Sequence, residues 1–443
     1  MGTTIPQVAK TMQVVLTDQA NLAAKATKFV QRESKLTGAG FVQTLTLGWL
    51  ANPQASLDEL TQAAAAQGIK ISRQGLDFRF TKEAAACLKQ VLRAAVEQVV
   101  AAEPAALPLL RRFTGVYVHD SSTVTLPDEL AAEWAGCGGS TAGTAAALKL
   151  QVRLDLGSGV LAGPLLQAGR AQDRTSPHQT LVDPPGSLRL ADLGYFNLDI
   201  LARGTAGGSY WLTRWRAKTV VYAAATGTRL DLTTFLPAQA SAVLVDHRVW
   251  LGADHRLPCR LIAARLPEDV ANHRRQQLKN EARKKGQAAS PERLALAGWV
   301  IFLTNLPPDL ATPTEVLVLA RVRWQIELLF KLWKSHGQID EWRSTKPWRI
   351  LCEVYAKLLA MVVQHWLFLV SNWAYPDRSL LKAAQTVQKF ALSLASALRV
   401  AKELEHAITV IQGCLSLGCR IDKRKRDPNL YQLLLAAEAG GLA

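Results

Sequence analysis

Cysteine is scarce and scattered. Of Cys87, Cys137, Cys259, Cys352, Cys414 and Cys419, only the last two are close. No second pair or histidine cluster lies beside them to complete a zinc site. Reduced thiols in a cytoplasm are therefore expected. Acidic residues are outnumbered: 36 Asp and Glu stand against 52 Lys and Arg, a formal charge of +16. That excess is spread along the chain and points to a polyanionic partner, because each phosphate neutralised releases counterions. A long basic amphipathic helix with a matching apolar face is missing, which favours nucleic acid over a membrane surface. A long uncharged apolar run is missing too. The most apolar segment, Leu351 to Val370, contains Glu353, Lys357, Gln364 and His365, so a buried helix is expected there and not a membrane span. The first residues show no basic region followed by an apolar core, the mark of a secretory leader. Internal repeats and long low-complexity tracts are also lacking.

The composition that remains, 49% hydrophobic and 20% charged over 443 residues, is that of a globular protein with more than one domain. Residues 1–105 are rich in Ala, Leu, Gln and Lys and predict a helical domain. Within it, Ser56-Leu-Asp-Glu59 has the form of a capping box. The following helix, the Gly68 turn and a second helix from Ser72 outline a helix-turn-helix over 56–80. Arg73, Gln74 and Arg79 would face the groove, although many helical hairpins share this outline. The texture changes near Pro108. Gly115 to Asp120 alternates and predicts a strand ending in an acid, and Leu188 to Asp192 predicts another. Short strands dominate from Ser209 to Leu266, as a β-rich block of its own. A basic helix from His273 to Lys285 follows, then a strand from Trp299 to Asn305. The tail is helical and carries the basic run Lys423–Arg426.

One stretch, Ala320 to Lys334, holds no Gly or Pro and predicts a single helix. Arg323, Glu327, Lys331 and Lys334 share one stripe; Val322, Ile326, Leu329 and Trp333 form an apolar face. Asp120, Asp192 and Glu327 could converge at a sheet edge. Three carboxylates there would suit hard divalent cations, and two such ions can clamp a phosphate between attacking and leaving oxygens. Taken singly, each aspartate could equally be a turn or cap residue, and the helix could be a solvated face with weak i,i+4 pairs.

Three segments together resemble the acidic motifs of bacterial DDE transposases of the insertion-sequence-four family. They are Val118 to Pro127, Ala191 to Phe196, and Arg323 to Lys334, with further likeness at Leu296–Asn305 and Arg343–Pro347. The likeness runs from about residue 56 to 365. It implies an α/β protein with a ribonuclease H-like catalytic core and a β-rich insertion, flanked by an N-terminal helical DNA-binding domain and a C-terminal helical region. The domains implied are 1–105 (DNA binding), 106–205 (first part of the core), 206–298 (insertion with basic helix), 299–370 (second part of the core) and 371–443 (helical, a candidate dimer contact). The family signature Tyr-x2-Arg-x3-Glu-x6-Lys is matched at Arg323, Glu327 and Lys334, but Ala320 stands in place of the tyrosine.

The resemblance further implies Asp120, Asp192 and Glu327 as catalytic ligands of two Mg²⁺ or Mn²⁺ ions, with Arg323, Lys331 and Lys334 on phosphates. Trp299 and Trp324 fall where the family holds a base out of the stack, against the alternative that both simply pack. Arg274, Arg275, Arg283, Lys284 and Lys285 of the basic helix are expected on DNA. The activity implied is metal-dependent strand cleavage, hairpin formation and strand transfer at the terminal inverted repeats of an insertion sequence. The partners implied are double-stranded DNA (transposon ends, flank and target) and a second copy in a synaptic homodimer, with no membrane. The setting would be a bacterial cytoplasm, at the nucleoid. A ribonuclease H-like nuclease without strand transfer, and a non-catalytic DNA-binding regulator, are the competing readings.

Overall fold

The computed structural model describes residues 2–32, 36–138, 143–239, 242–421 and 429–438; the basic run Lys423–Arg426 lies outside the described residues. Two compact units divide the chain. The first takes Met1–Leu107, Asp120–Ala171 and Trp324–Tyr431, the second Pro108–His119, Gln172–Arg323 and Gln432–Ala443.

The first unit is built on helices. Thr37 caps the helix Gly38–Ala51 by accepting from the Gly40 amide, and every residue from Gly38 to Leu50 is buried. Its one long polar side chain, Gln43, donates to the Leu16 carbonyl and the Thr17 hydroxyl, both at 3.0 Å, as a buried amide requires. The helix packs against the helix Pro347–Leu369, which is buried continuously from Ile350 onward. Among the described residues this is the one helix long and apolar enough to cross a membrane, and its apolar window is wholly buried inside the protein. The charges that set it apart in the sequence are satisfied internally. Lys357 and Glu353 pair at 2.8 Å with both side chains buried, and His365 Nε2 lies 2.7 Å from the Gly159 carbonyl oxygen. Burial pulls the His365 imidazole down to about 4, so it is neutral and Nε2 donates.

The capping box at Ser56 is present and starts the helix Leu57–Ala65. Ser72 caps a second helix, but it runs only from Arg73 to Asp77. Arg73 and Gln74 are exposed and Arg79 half-buried. Asp77 is held by Lys346 at 2.7 Å and Arg349 at 3.1 Å.

The strands are β1 (Val116–Leu126), β2 (Ala146–Asp155), β3 (Leu161–Ala168), β4 (Leu188–Ala191), β5 (Tyr210–Arg214), β6 (Val221–Ala223), β7 (Leu244–Leu251), β8 (Leu257–Arg265) and β9 (Trp299–Thr304). They hydrogen-bond in the order β3-β2-β1-β4-β5-β9-β8-β7-β6. β1 is divided between the units at His119/Asp120. In the second unit, β4 lies parallel to the first part of β1 and to β5. β5-β9, β9-β8, β8-β7 and β7-β6 are antiparallel. The β-rich stretch after Ser209 therefore does not close a sheet of its own: β9 bonds to β5 on one side and β8 on the other. Its inward side chains, among them Trp211, Leu261, Leu303 and Trp299, make one apolar cluster.

Two elements differ from their sequence pattern. β1 does not stop at Asp120. The strand carries on for six more residues to Leu126, and its last four alternate as a half-buried strand does, with Thr123 and Thr125 exposed and Val124 and Leu126 buried. Ala320–Lys334 is not one helix. Helix Pro313–Val322 ends and helix Trp324–Ser335 begins on either side of Arg323, whose dihedrals (φ −51°, ψ −31°) stay right-handed helical. Side-chain period cannot register a break in hydrogen bonding where the dihedrals remain helical. The apolar face is as expected, with Val322, Ile326, Leu329 and Trp333 each at most 1% exposed.

Candidate active site

In the first unit, Glu327 sits in the opening turn of its helix and is half-buried. Ile326 and Leu329 anchor that helix in the core and turn the charged stripe outward. Two turns on, Lys334 Nζ donates to the Thr123 carbonyl of β1 at 2.8 Å and lies 3.9 Å from an Asp340 carboxylate oxygen. Thr123 is three residues beyond Asp120, so one ammonium ties the helix of Glu327 to the strand of Asp120. The Asp120 carboxylate accepts from the Ser121 amide at 2.8 Å, and its side chain is half-buried. Lys331 is exposed, and Trp324 keeps 56% of its surface in solvent with Leu328 one turn on at 39%.

In the second unit, Asp192 follows β4 directly, is exposed, and begins the short 3-10 turn Leu193–Tyr195. The last registered pair of β1 and β4 is His119 with Ala191, the residues immediately before Asp120 and Asp192. Arg323 is half-buried. Trp299 opens β9 and is only 8% exposed, inside the apolar cluster. Of the two tryptophans singled out from the sequence, Trp324 therefore offers a free face and Trp299 does not.

A buried polar group joins β4 to the turn that follows Asp192, and its partners were not legible in the sequence. Arg189, in the middle of β4, pairs with Asp183 at 3.4 Å and donates to Gln179. Gln179 in turn donates to the Tyr195 carbonyl at 2.9 Å. The His119 ring, fully buried, meets Tyr195 at 6.3 Å and His178 at 6.1 Å between centroids. The available signal was Arg189 itself: a guanidinium inside an otherwise apolar strand demands partners.

The basic helix runs Glu268–Lys284, and Ala271 is its one buried residue among those described. Arg275 pairs with Glu268 at 2.7 Å. Burial and then the like charge of Arg214 pull Arg274 down. Arg283, Lys284 and Lys285 are exposed.

Asp120 and Glu327 belong to one unit and Asp192 to the other. Among the described residues, no three His, Cys, Asp or Glu side chains form a group that could hold a metal ion. The donor chemistry nonetheless fits a hard cation: three carboxylates, with Asp192 exposed and the other two half-exposed.

The family described as Transposase DDE domain matches residues 111–363, more than half of the chain and a span that includes all three acids. The transposase for insertion sequence element IS231E of Bacillus thuringiensis subsp. finitimus is 29% identical over 384 residues, covering 82% of this chain and 78% of its own length. That for IS231F of Bacillus thuringiensis subsp. israelensis is 26% identical over 444 residues, covering 93% and 91%. The putative transposase InsL for IS186A of Escherichia coli (strain K12) is 33% identical over 180 residues, covering 39% of this chain and 49% of its own length.

Proposed function

This chain belongs to the DDE transposase family, and from that premise we propose how it works as an insertion-sequence transposase. The observation that carries the proposal is that the matched span holds Asp120 on β1, Asp192 after β4 and Glu327 on a helix anchored by its apolar face. The family implies a divalent metal. The three carboxylates would hold two Mg²⁺ or Mn²⁺ ions, and when bound these supply Lewis-acid stabilisation and an activated water or 3′-hydroxyl. A ribonuclease H-like arrangement is proposed for β3-β2-β1-β4-β5, supported by a mixed sheet in which β4 and β5 run parallel to β1.

The residues around the carboxylates take the following parts. Arg323 and Lys331 would grip phosphates, the first by two donors and the second as a point charge. Lys334 positions Glu327 through the Thr123 carbonyl. Trp324 offers a stacking face to a base taken out of the duplex; for Trp299 the same part would require its indole to leave the core. Helices 1–105, with Arg73, Gln74 and Arg79, would bind the terminal inverted repeats. Arg274, Arg275, Arg283, Lys284 and Lys285 would track flanking DNA. The cycle proposed is strand cleavage, hairpin formation by the freed 3′-hydroxyl, reopening and joining to target, in a homodimer at the bacterial nucleoid with residues 371–443 in the dimer contact.

The test is a labelled duplex carrying the element's terminal repeat and flank, incubated with Mg²⁺ and the wild-type, Asp192→Ala or Glu327→Ala protein. The wild type should give a nick and then a hairpin, and both variants should lose both products while still shifting the duplex in a gel. Binding without any nick by the wild type, with Mn²⁺ as well, would leave a DNA-binding regulator in place of an enzyme.

A further inference from the structure

The first unit contains a polar pocket of about 440 Å³, within the range of roughly 300–1,000 Å³ of small-molecule sites. Its walls bring four carboxamides (Asn52, Gln54, Gln338 and Gln388), the Arg343 guanidinium and the His336 imidazole together. Burial holds His336 below its usual value, so that ring is neutral. The one carboxylate in the wall, Glu59, is already engaged: its oxygens accept from the Asn52 side chain at 2.8 Å and the Ser56 amide at 2.7 Å.

Three features mark this pocket as built. Gln338 has a left-handed backbone, φ +46°, a conformation uncommon in residues other than glycine and enforced here by its surroundings. Its Oε1 is buried and has no hydrogen-bond partner in the protein, and such an atom calls for a donor. The enforcement comes from the buried pair of the Pro347–Leu369 helix. Lys357 Nζ donates to the Gln338 carbonyl at 3.1 Å and the Glu341 carbonyl at 2.8 Å, and Glu353 accepts from the Arg343 backbone amide. Two buried charges thus fix the backbone of the loop that presents Gln338 and Arg343.

We propose that this pocket receives a single unpaired nucleotide of the DNA on which the protein acts, with its phosphate on Arg343 and its base edge against the carboxamides of Gln338 and Gln388. A carboxamide pairs two-pronged with a base edge, a guanidinium does so with a phosphate, and the Gln338 oxygen takes an N–H of the base. A concave polar pocket excludes both a lipid chain and an intact duplex. The proposal rests on the transposase reading and adds a nucleotide subsite that is separate from the three acids.

The experiment is saturation-transfer NMR on the full chain with dAMP, dCMP, dGMP and dTMP, and with inorganic phosphate as competitor. Wild type, Arg343→Ala and Gln388→Leu are compared after their melting curves are shown to coincide. At least one nucleotide should saturate the wild type and resist displacement by equimolar phosphate. Each substitution should weaken its binding tenfold or more. Equal binding by all three proteins, full displacement by phosphate, or no binding by the wild type overturns the proposal. A gel shift with a non-specific duplex at low salt runs alongside. A retained shift with no nucleotide binding removes the pocket alone, whereas loss of both removes the DNA reading with it.

Discussion

His365 shows what a single buried side chain does to the pH response. Its neutral imidazole donates to the Gly159 carbonyl, and burial lowers its value from 6.5 to about 4. Above about 6.5 the ring is neutral in both the folded and the unfolded chain, and the hydrogen bond contributes in full. Between about 6.5 and 4 the unfolded chain takes up a proton that the folded one refuses. Stability therefore falls with pH, by at most about 1.4 kcal/mol per unit and on the order of 3 kcal/mol across the window. Urea unfolding at pH 7 and pH 4.5 measures it. The wild type should lose more on acidification than His365→Gln, which keeps a donor but cannot titrate; equal losses would place the proton elsewhere. At this scale three acidic segments were legible, and Asp120, Asp192 and Glu327, the ligands proposed above, all fall inside the span that matches the Transposase DDE domain. The Arg189–Asp183–Gln179 group was not, because its partners come from a loop with no periodicity to announce it.

Helices and strands were legible where one period ran uninterrupted between clear punctuation. The Ser56 capping box, the short β4 and the apolar face of the Glu327 helix are all of this kind. β1 outruns its sequence pattern because Asp followed by two serines looks like a turn, while the alternation that overrides it resumes only at Val124. The break at Arg323 left no trace in the side-chain pattern. The bond that ties the helix of Glu327 to the strand of Asp120, Lys334 to the Thr123 carbonyl, joins a side chain to a backbone oxygen about two hundred residues away, and residue types carry no information about it. It yields an element-scale prediction. Lys334→Met should leave duplex affinity nearly unchanged and slow nicking on the order of a hundredfold, the cost of a small misplacement of a reacting group. A fall in affinity with nicking intact at saturating DNA would make Lys334 a phosphate ligand instead.

For the whole molecule, the charge of +16 governs how the protein meets DNA. Affinity for a non-specific duplex should fall linearly on logarithmic axes as salt rises. Replacing Arg283, Lys284 and Lys285 together by alanine should flatten that line by about 0.9 for each phosphate no longer neutralised. An unchanged slope in a titration followed by fluorescence anisotropy would take the basic helix off the DNA. The basic balance was readable from composition, but the grouping of segments was not, since each unit is assembled from pieces distant in sequence. The core of the first unit has a consequence in time. The helix Gly38–Ala51, buried from Gly38 to Leu50, leaves the ribosome about three hundred residues before one of its packing partners, Pro347–Leu369, a wait of roughly 15 to 60 seconds at about 5–20 residues per second. Throughout that interval its neighbours from residues 14–65 are in place, but the face that packs on Pro347–Leu369 has no native surface to cover it. A message broken anywhere before codon 347 yields a polypeptide that never acquires that surface, so full-length synthesis itself limits how much active protein a cell can make.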